Sequence, residues 1–373
     1  MEKKRNFIEF LLSRIIIMGF YFAMLMSCLM LPRVKELFER KDTLNVYAFT
    51  EMVSPEAIEE FERETGIKVR IQYFESNEEL HAKFRVNEGE GYDLITPSDY
   101  MIELLRKEAL LYKLDRAKIP NLNAVDQKLM GHFFDPGNNY SVPLAWHCYG
   151  IVYDKQLLGN DVEQMSFDYL FVDPAALLKE KKVKAPFKIC MMDDARDSVF
   201  TAAIYLFGTT RNLSEVQLQK IQDVLVQQKL WVEAYTSTSV EYFLLGNIVG
   251  AAFISSLHMK KILDLSSRFG FKIPREGSMG VIENFAIPIH CKKIDQAHQF
   301  INFMISKKIA AQCSIKYGYN PVNKEAYALI DQKFLHNQHF FPADDFFRKR
   351  LHLGHNDVSL KRVEDVWLGV KFA

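Results

Sequence analysis

The 373-residue sequence has no net charge, since 47 lysines and arginines are matched by 47 aspartates and glutamates. No long-range field draws polyanions to such a chain. That argues against nucleic acid as its main partner and makes any electrostatic selectivity local. Cysteine is scarce: Cys28, Cys148, Cys190, Cys291 and Cys313 are odd in number and include no CxxC pair. A dense disulfide framework is excluded, no zinc signature is present, and most of the five read as buried thiols. No internal repeat, low-complexity tract, nucleophile elbow, phosphate loop or zinc-helix motif occurs, which removes solenoids and the motif-bearing enzyme classes. His336 and His339, like His352 and His355, stand three apart. Without acid or thiol neighbours in a metal-ligating pattern, they read as surface histidines.

Only one long apolar run is present, over residues 15–31, behind Lys3, Lys4, Arg5 and Arg14 and ahead of Pro32 and Arg33. As a helix it spans roughly 25 Å at ~1.5 Å per residue, slightly short of a bilayer core, which suits an export signal or marginal anchor. Leu25-Met26-Ser27-Cys28 resembles the lipobox at which bacterial lipoproteins are cut and acylated, with Met26 and Leu29 atypical. Lipoprotein processing, a retained anchor and ordinary cleavage stay open. Residues 35–41 read as a charged tether, so residues 1–43 lie outside the globular part.

Beyond it, strand and helix signals alternate. Residues 44–49 form an apolar strand; Ser54 caps a helix with Pro55 at its first position and Gly66 at its end. Residues 67–73 alternate apolar with polar as a half-buried strand does, and Ser76-Asn77-Glu78-Glu79 has the pattern of a capping box. A short strand at 93–96 and a helix at 100–108 follow. After the turn Asp135-Pro136-Gly137-Asn138-Asn139 a second unit begins, with strands predicted at 141–153, 187–192 and 250–254 and helices at 213–228 and 297–305. This alternation predicts parallel sheets covered on both faces, and the length predicts two units. In such sheets ligands sit beyond the carboxyl ends of strands. Four segments read as loops there carry acids: Phe49-Thr50-Glu51, Pro97-Ser98-Asp99-Tyr100, Asp193-Asp194-Ala195-Arg196-Asp197 and Val281-Ile282-Glu283-Asn284. Taken singly, each acid also fits a helix cap or a solvated loop, and Arg196 fits an orienting partner for Asp194 or Asp197. Tyr100, Tyr319 and Phe253 equally suit core positions.

The order and spacing of several segments identify more. Phe49-Thr50-Glu51, Glu64-Thr65-Gly66-Ile67-Lys68-Val69, Tyr73-Phe74-Glu75-Ser76-Asn77-Glu78, Tyr92-Asp93-Leu94, Pro97-Ser98-Asp99-Tyr100, Ser141-Val142-Pro143, Asp193-Asp194-Ala195-Arg196, Phe285-Ala286-Ile287-Pro288, Gly318-Tyr319-Asn320-Pro321 and Asn356-Asp357-Val358 resemble the periplasmic spermidine/putrescine-binding proteins of bacterial polyamine ABC importers. The resemblance implies an α/β, two-lobed periplasmic binding protein fold of type II with a ligand cleft between the lobes. It implies a polyamine ligand, an importer permease as partner, no cofactor and no catalysis. Lobe one would hold residues 44–146 and 282–329, and lobe two residues 147–281 and 330–373. Glu51, Asp194, Asp197 and Glu283 fall on the family's amine-binding acids, and Thr50, Ser98, Tyr100 and Tyr319 on its pocket positions. Phe49 and Phe253 stand where tryptophan is usual, Val281 replaces another, Met52 replaces a tyrosine and His355 a glutamine. Since an ammonium is held by charge-assisted hydrogen bonds and ring faces add about 0.5 to 2 kcal/mol each, these departures weaken the aromatic box but leave the cation preference. A sensor with an altered cationic ligand, and an enzyme using the acids on an amine, are the rival readings.

Overall fold

A computed structural model describes residues 14, 16–28, 43–159, 165–236, 239–331, 344–353 and 358–373. Expectations for His336, His339, His355, the Asn356-Asp357 pair and the 35–41 tether fall outside these residues. Residues 16–28 are helical, and among the described residues no helix is long and apolar enough to cross a membrane.

Local signals place the first elements. Strand β1 (Thr43–Phe49) runs parallel to β2 (Lys68–Phe74) and to β3 (Leu94–Ile95), Val46 lying opposite both Ile71 and Leu94. The intervening helix Pro55–Thr65 starts on Ser54, whose hydroxyl accepts from Ala57 N, and ends on Gly66 at φ 73°, where a left-handed residue is needed. Its buried Phe61 meets Phe300 and Phe303 edge-on at 4.9 and 5.3 Å. Helix Asn77–Asn87 is capped by Ser76 as expected. The other half of the capping box does not close, because Glu79 accepts from Glu75 N and Tyr47 Oη instead.

The all-parallel expectation fails at the centre. Strands β4 (Ser141–Asp154) and β9 (Ser278–Ala286) are antiparallel to each other and buried along their whole lengths. The 281–284 stretch, expected as a loop, lies inside β9: with both faces covered there is no alternation to read, and Glu283-Asn284 looks like loop sequence. In the second unit β5 (Ile189–Met191) pairs in parallel with β6 (Val232–Tyr235) and β7 (Ala251–Ser255), while β7 and β8 (Phe269–Lys272) pair antiparallel with the far end of β4. The continuous order is β2-β1-β3-β9-β4-β7-β5-β6.

Two main cores sit on either side of the β4/β9 pair. One gathers Leu44 to Trp146 with Ile282 to Val322 and Phe347; the other gathers Tyr149 to Val281 with Val363, Val366, Trp367 and Val370 of the helix Leu360–Phe372. Phe347 thus packs with the first core although the sequence reading put it in the second lobe. His352 pairs opposite Met279 and is half-buried rather than on the surface, because 351–353 adds a further strand beside β9. Cys148, Cys190, Cys291 and Cys313 are buried free thiols, and Cys28 is exposed.

Entry into β4 is fixed by a buried side chain. Asp135, 2 % exposed, accepts from Asn139 N, Tyr140 N, Ser141 N and the Ser141 hydroxyl at 2.8 to 3.0 Å. Removing that acceptor strands three backbone donors. Asp135→Ala is expected to lower unfolding free energy by about 3 kcal/mol or more in urea titration, whereas truncating the cap Asp115, beside Ala117 N, costs about 1 kcal/mol or less. Equal, small losses would show that Asp135 does not organise the turn.

Candidate functional site

Where the two crossing strands pass between the cores, a cavity of about 590 Å³ opens. Phe49, Thr50 and Glu51 enter it from the end of β1, Ser76, Asn77 and Glu78 from the end of β2, and Ser98 and Tyr100 from the start of the helix Asp99–Lys107. The opposite wall supplies Met192, Asp194, Arg196 and Asp197 after β5, and Ser255 to Asp264 from the end of β7 and the helix Ser256–Leu265. His147 and Tyr149 of β4 and Val281 and Glu283 of β9 form the floor. Among the described residues, seven carboxylates line this space against four lysine or arginine side chains. The three lysines are paired: Lys260 with Asp264, itself one of the seven, Lys261 with Glu241 and Lys316 with Glu56, at 2.5 to 2.6 Å.

Three groupings share the cleft. In one, Asp194 caps the helix Ala195–Phe207 by accepting from Asp197 N at 2.8 Å, which turns both acids toward the space. Asp194 is thus a helix cap that also lines the cavity. Asp197 is pushed up to about 8, chiefly by burial and next by the charge of Asp194, with Arg196 and a hydrogen bond from Tyr149 acting the other way. Arg196, only 5 % exposed, lies with its guanidinium 4.3 Å from the centre of the Tyr100 ring and Nη1 3.7 Å from Asp197. Tyr100 in turn donates to Glu78 at 2.9 Å. Glu78 is exposed at the cavity wall, yet partial loss of its water shell to the surrounding protein raises it, and the charge of Asp194 does so next. It escaped notice in the sequence because the capping pattern already explained an acid there; its place just beyond β2, like that of Glu51 beyond β1, was the available signal.

A second grouping surrounds Glu283, buried at 4 % exposure. It accepts from the Ser98 hydroxyl at 2.9 Å and lies 3.3 Å from His147 Nε2, whose Nδ1 is 2.9 Å from Ser255 Oγ. The third holds Glu51 at φ 65°, a left-handed conformation costing roughly 1–2 kcal/mol in a non-glycine residue, close enough to His258 and Lys261 to act on their titration. Burial holds His258 below its ordinary range.

Of the residues singled out in the sequence, Phe49, Thr50, Glu51, Ser98, Tyr100, Asp194, Asp197 and Glu283 line one cavity. Phe253 and Tyr319 do not. Phe253 lies behind Tyr149, stacked at 5.5 Å, so that Tyr149 presents the ring surface there. Tyr319 is buried with its hydroxyl on Met52 O at 3.2 Å, and Tyr317 takes its place at the wall. Among the described residues no cluster of His, Cys, Asp or Glu is arranged to hold a metal ion. A half-dry space with surplus carboxylate and the rings of Phe49, Tyr100, Tyr149 and Tyr317 is suited to a cation with an apolar body.

The comparisons agree with this chemistry. The chain is 28 % identical over 311 residues to the spermidine/putrescine-binding periplasmic protein 1 of Haemophilus influenzae, covering 82 % of each chain. It is 28 % identical over 361 residues to the putrescine-binding periplasmic protein PotF of Escherichia coli, covering 92 % of this chain and 95 % of that one. The spermidine/putrescine ABC transporter substrate-binding protein PotD of Streptococcus pneumoniae superposes with a TM-score of 0.76 at 26 % identity, over 89 % of this chain and 99 % of that one. The fold is thus the two-lobed type II periplasmic binding fold. Residues 56–342 match the bacterial extracellular solute-binding protein family, and the chain belongs to that family.

Proposed function

We propose that this protein is an extracytoplasmic receptor that captures a polyamine, putrescine or spermidine, in the cleft and delivers it to an ABC importer. The observation that carries the reading is the surplus of carboxylate in a cleft whose lysines are already paired, on a chain neutral overall. In this reading Asp194, Asp197 and Glu78 hold one ammonium group, Glu51 and Glu283 serve the rest of the guest, and Phe49, Tyr100, Tyr149 and Tyr317 cover its methylenes. The lobes divide at 146/147 and 281/282, with the stretch around Phe347 assigned to the first lobe on its packing. Acids from both lobes then favour the closed state only when one guest touches both. We assign the 16–28 helix to a lipoprotein signal ending at Cys28. An acylated Cys28 at the N-terminus of cell-derived protein is the expected mass, and a chain still beginning at Met1 would overturn that assignment.

Replacing Asp194 by Asn keeps a residue able to cap the following helix but removes the charge. Polyamine affinity measured by titration calorimetry is expected to fall by about 2 to 5 kcal/mol with the melting temperature little changed. Unaltered affinity would contradict the site.

The raised Asp197 gives a second outcome with a definite sign. Because its folded value lies above the ordinary aspartate value, the contribution of Asp197 to the unliganded fold is complete only below about 3.8 and is lost progressively as pH rises from there to about 8. Asp197→Asn should therefore gain in melting temperature relative to the parent between pH 6 and pH 9. An ammonium guest does the reverse, favouring the carboxylate. Binding at pH 7 should release close to one proton, read from calorimetry in buffers of different ionisation heat, and Asp197→Asn should abolish the release. Proton-neutral binding by the parent would refute this role.

A further inference from the structure

The hydrogen bonds around Glu283 run in one direction. Asn77 Nδ2 donates to Ser98 Oγ at 2.9 Å, and the Ser98 hydroxyl donates to Glu283 Oε2 at 2.9 Å. From the other wall, Leu257 N–H donates to Ser255 Oγ at 3.2 Å, and Ser255 Oγ pairs with His147 Nδ1 at 2.9 Å. Because the Glu283 carboxylate only accepts, His147 Nε2, 3.3 Å from its Oε1, carries a proton and directs it there. The Ser98 hydroxyl accepts once and donates once, and both arms end on the same carboxylate. Each arm starts at a helix N-terminus, Asn77 in one wall and the Ser255 cap in the other. Glu283 and His147 are each 4 % exposed, so little of either side chain faces open solvent.

Two donors on a buried carboxylate supply much of what an ammonium would supply. The Asp194–Asp197–Glu78 grouping differs, since three acids there share one arginine. We propose that His147 is a specificity-determining residue: by satisfying Glu283 from within, it lets the cleft hold a guest firmly through a single cationic end. The accepted class is then broader than diamines and triamines and includes primary alkylamines with one charge. The proposal rests on the amine-receptor reading and deepens it.

Putrescine and n-butylamine have the same four-carbon body and differ in the second ammonium. Their affinities for the purified protein at pH 7.5 give a diamine-to-monoamine ratio. In His147→Ala, and in His147→Leu, which keeps volume without a donor, Glu283 loses one internal partner and the ratio should rise about tenfold. Glu283→Gln should cost putrescine binding about threefold in the parent, and about tenfold more than that in the His147→Leu background, the coupling a direct partnership produces. A ratio unchanged in both His147 variants, with both amines bound, overturns the proposal alone. No binding of either amine by the parent overturns the amine reading and the proposal together.

Discussion

Buried carboxylates repel one another and resist losing water, so a cleft that gathers them stands only if something offsets their charge. Here the fixed offset is small. Arg196 sits among Asp99, Tyr100, Asp197 and Asp194, and burial still pushes Asp197 up to about 8. The lysines that line the cleft are already paired with acids. The space is left electrostatically incomplete, and a guest that brings positive charge completes it. Much of the architecture serves that condition: helix starts aim Asp194, Ser98 and Ser255 inward, and the crossing strands supply a dry floor.

Those crossing strands also explain how the walls relate. Because β4 and β9 each begin in one core and end in the other, side chains on them belong to both lobes. His147 and Glu283 lie on that shared floor, within reach of Ser255 from one wall and Ser98 from the other. Arg196 spans the walls a second time by lying on the Tyr100 ring.

Legibility followed the range of the signal. The helix Pro55–Thr65 was readable because Ser54, Pro55 and Gly66 act within a few bonds of the backbone they terminate. The acids after β1 and β5 were readable because strand ends are local and the resemblance supplied their grouping. β9 was not readable as a strand, since a segment covered on both faces loses its period-two pattern. The return of the helix Leu360–Phe372 to the second core came only through the resemblance, because periodicity says nothing about which core a face meets. His147 and Tyr149 passed as the interior of an extended segment, though a histidine in an otherwise apolar strand was a visible anomaly. Phe253 and Tyr319 differ from these: matching positions put them in the pocket, whereas Tyr149 and Tyr317 are the rings that line the cavity wall.

The central claim is that one cation is held between Asp194, Asp197 and Glu78 across the two lobes. A crystal structure grown with putrescine tests it most directly. The account predicts an ammonium nitrogen about 3 Å from carboxylate oxygens of Asp194 and Asp197, with the methylenes against Tyr100 or Tyr149. A cleft that closes without amine density, or an amine held away from these acids, would contradict it.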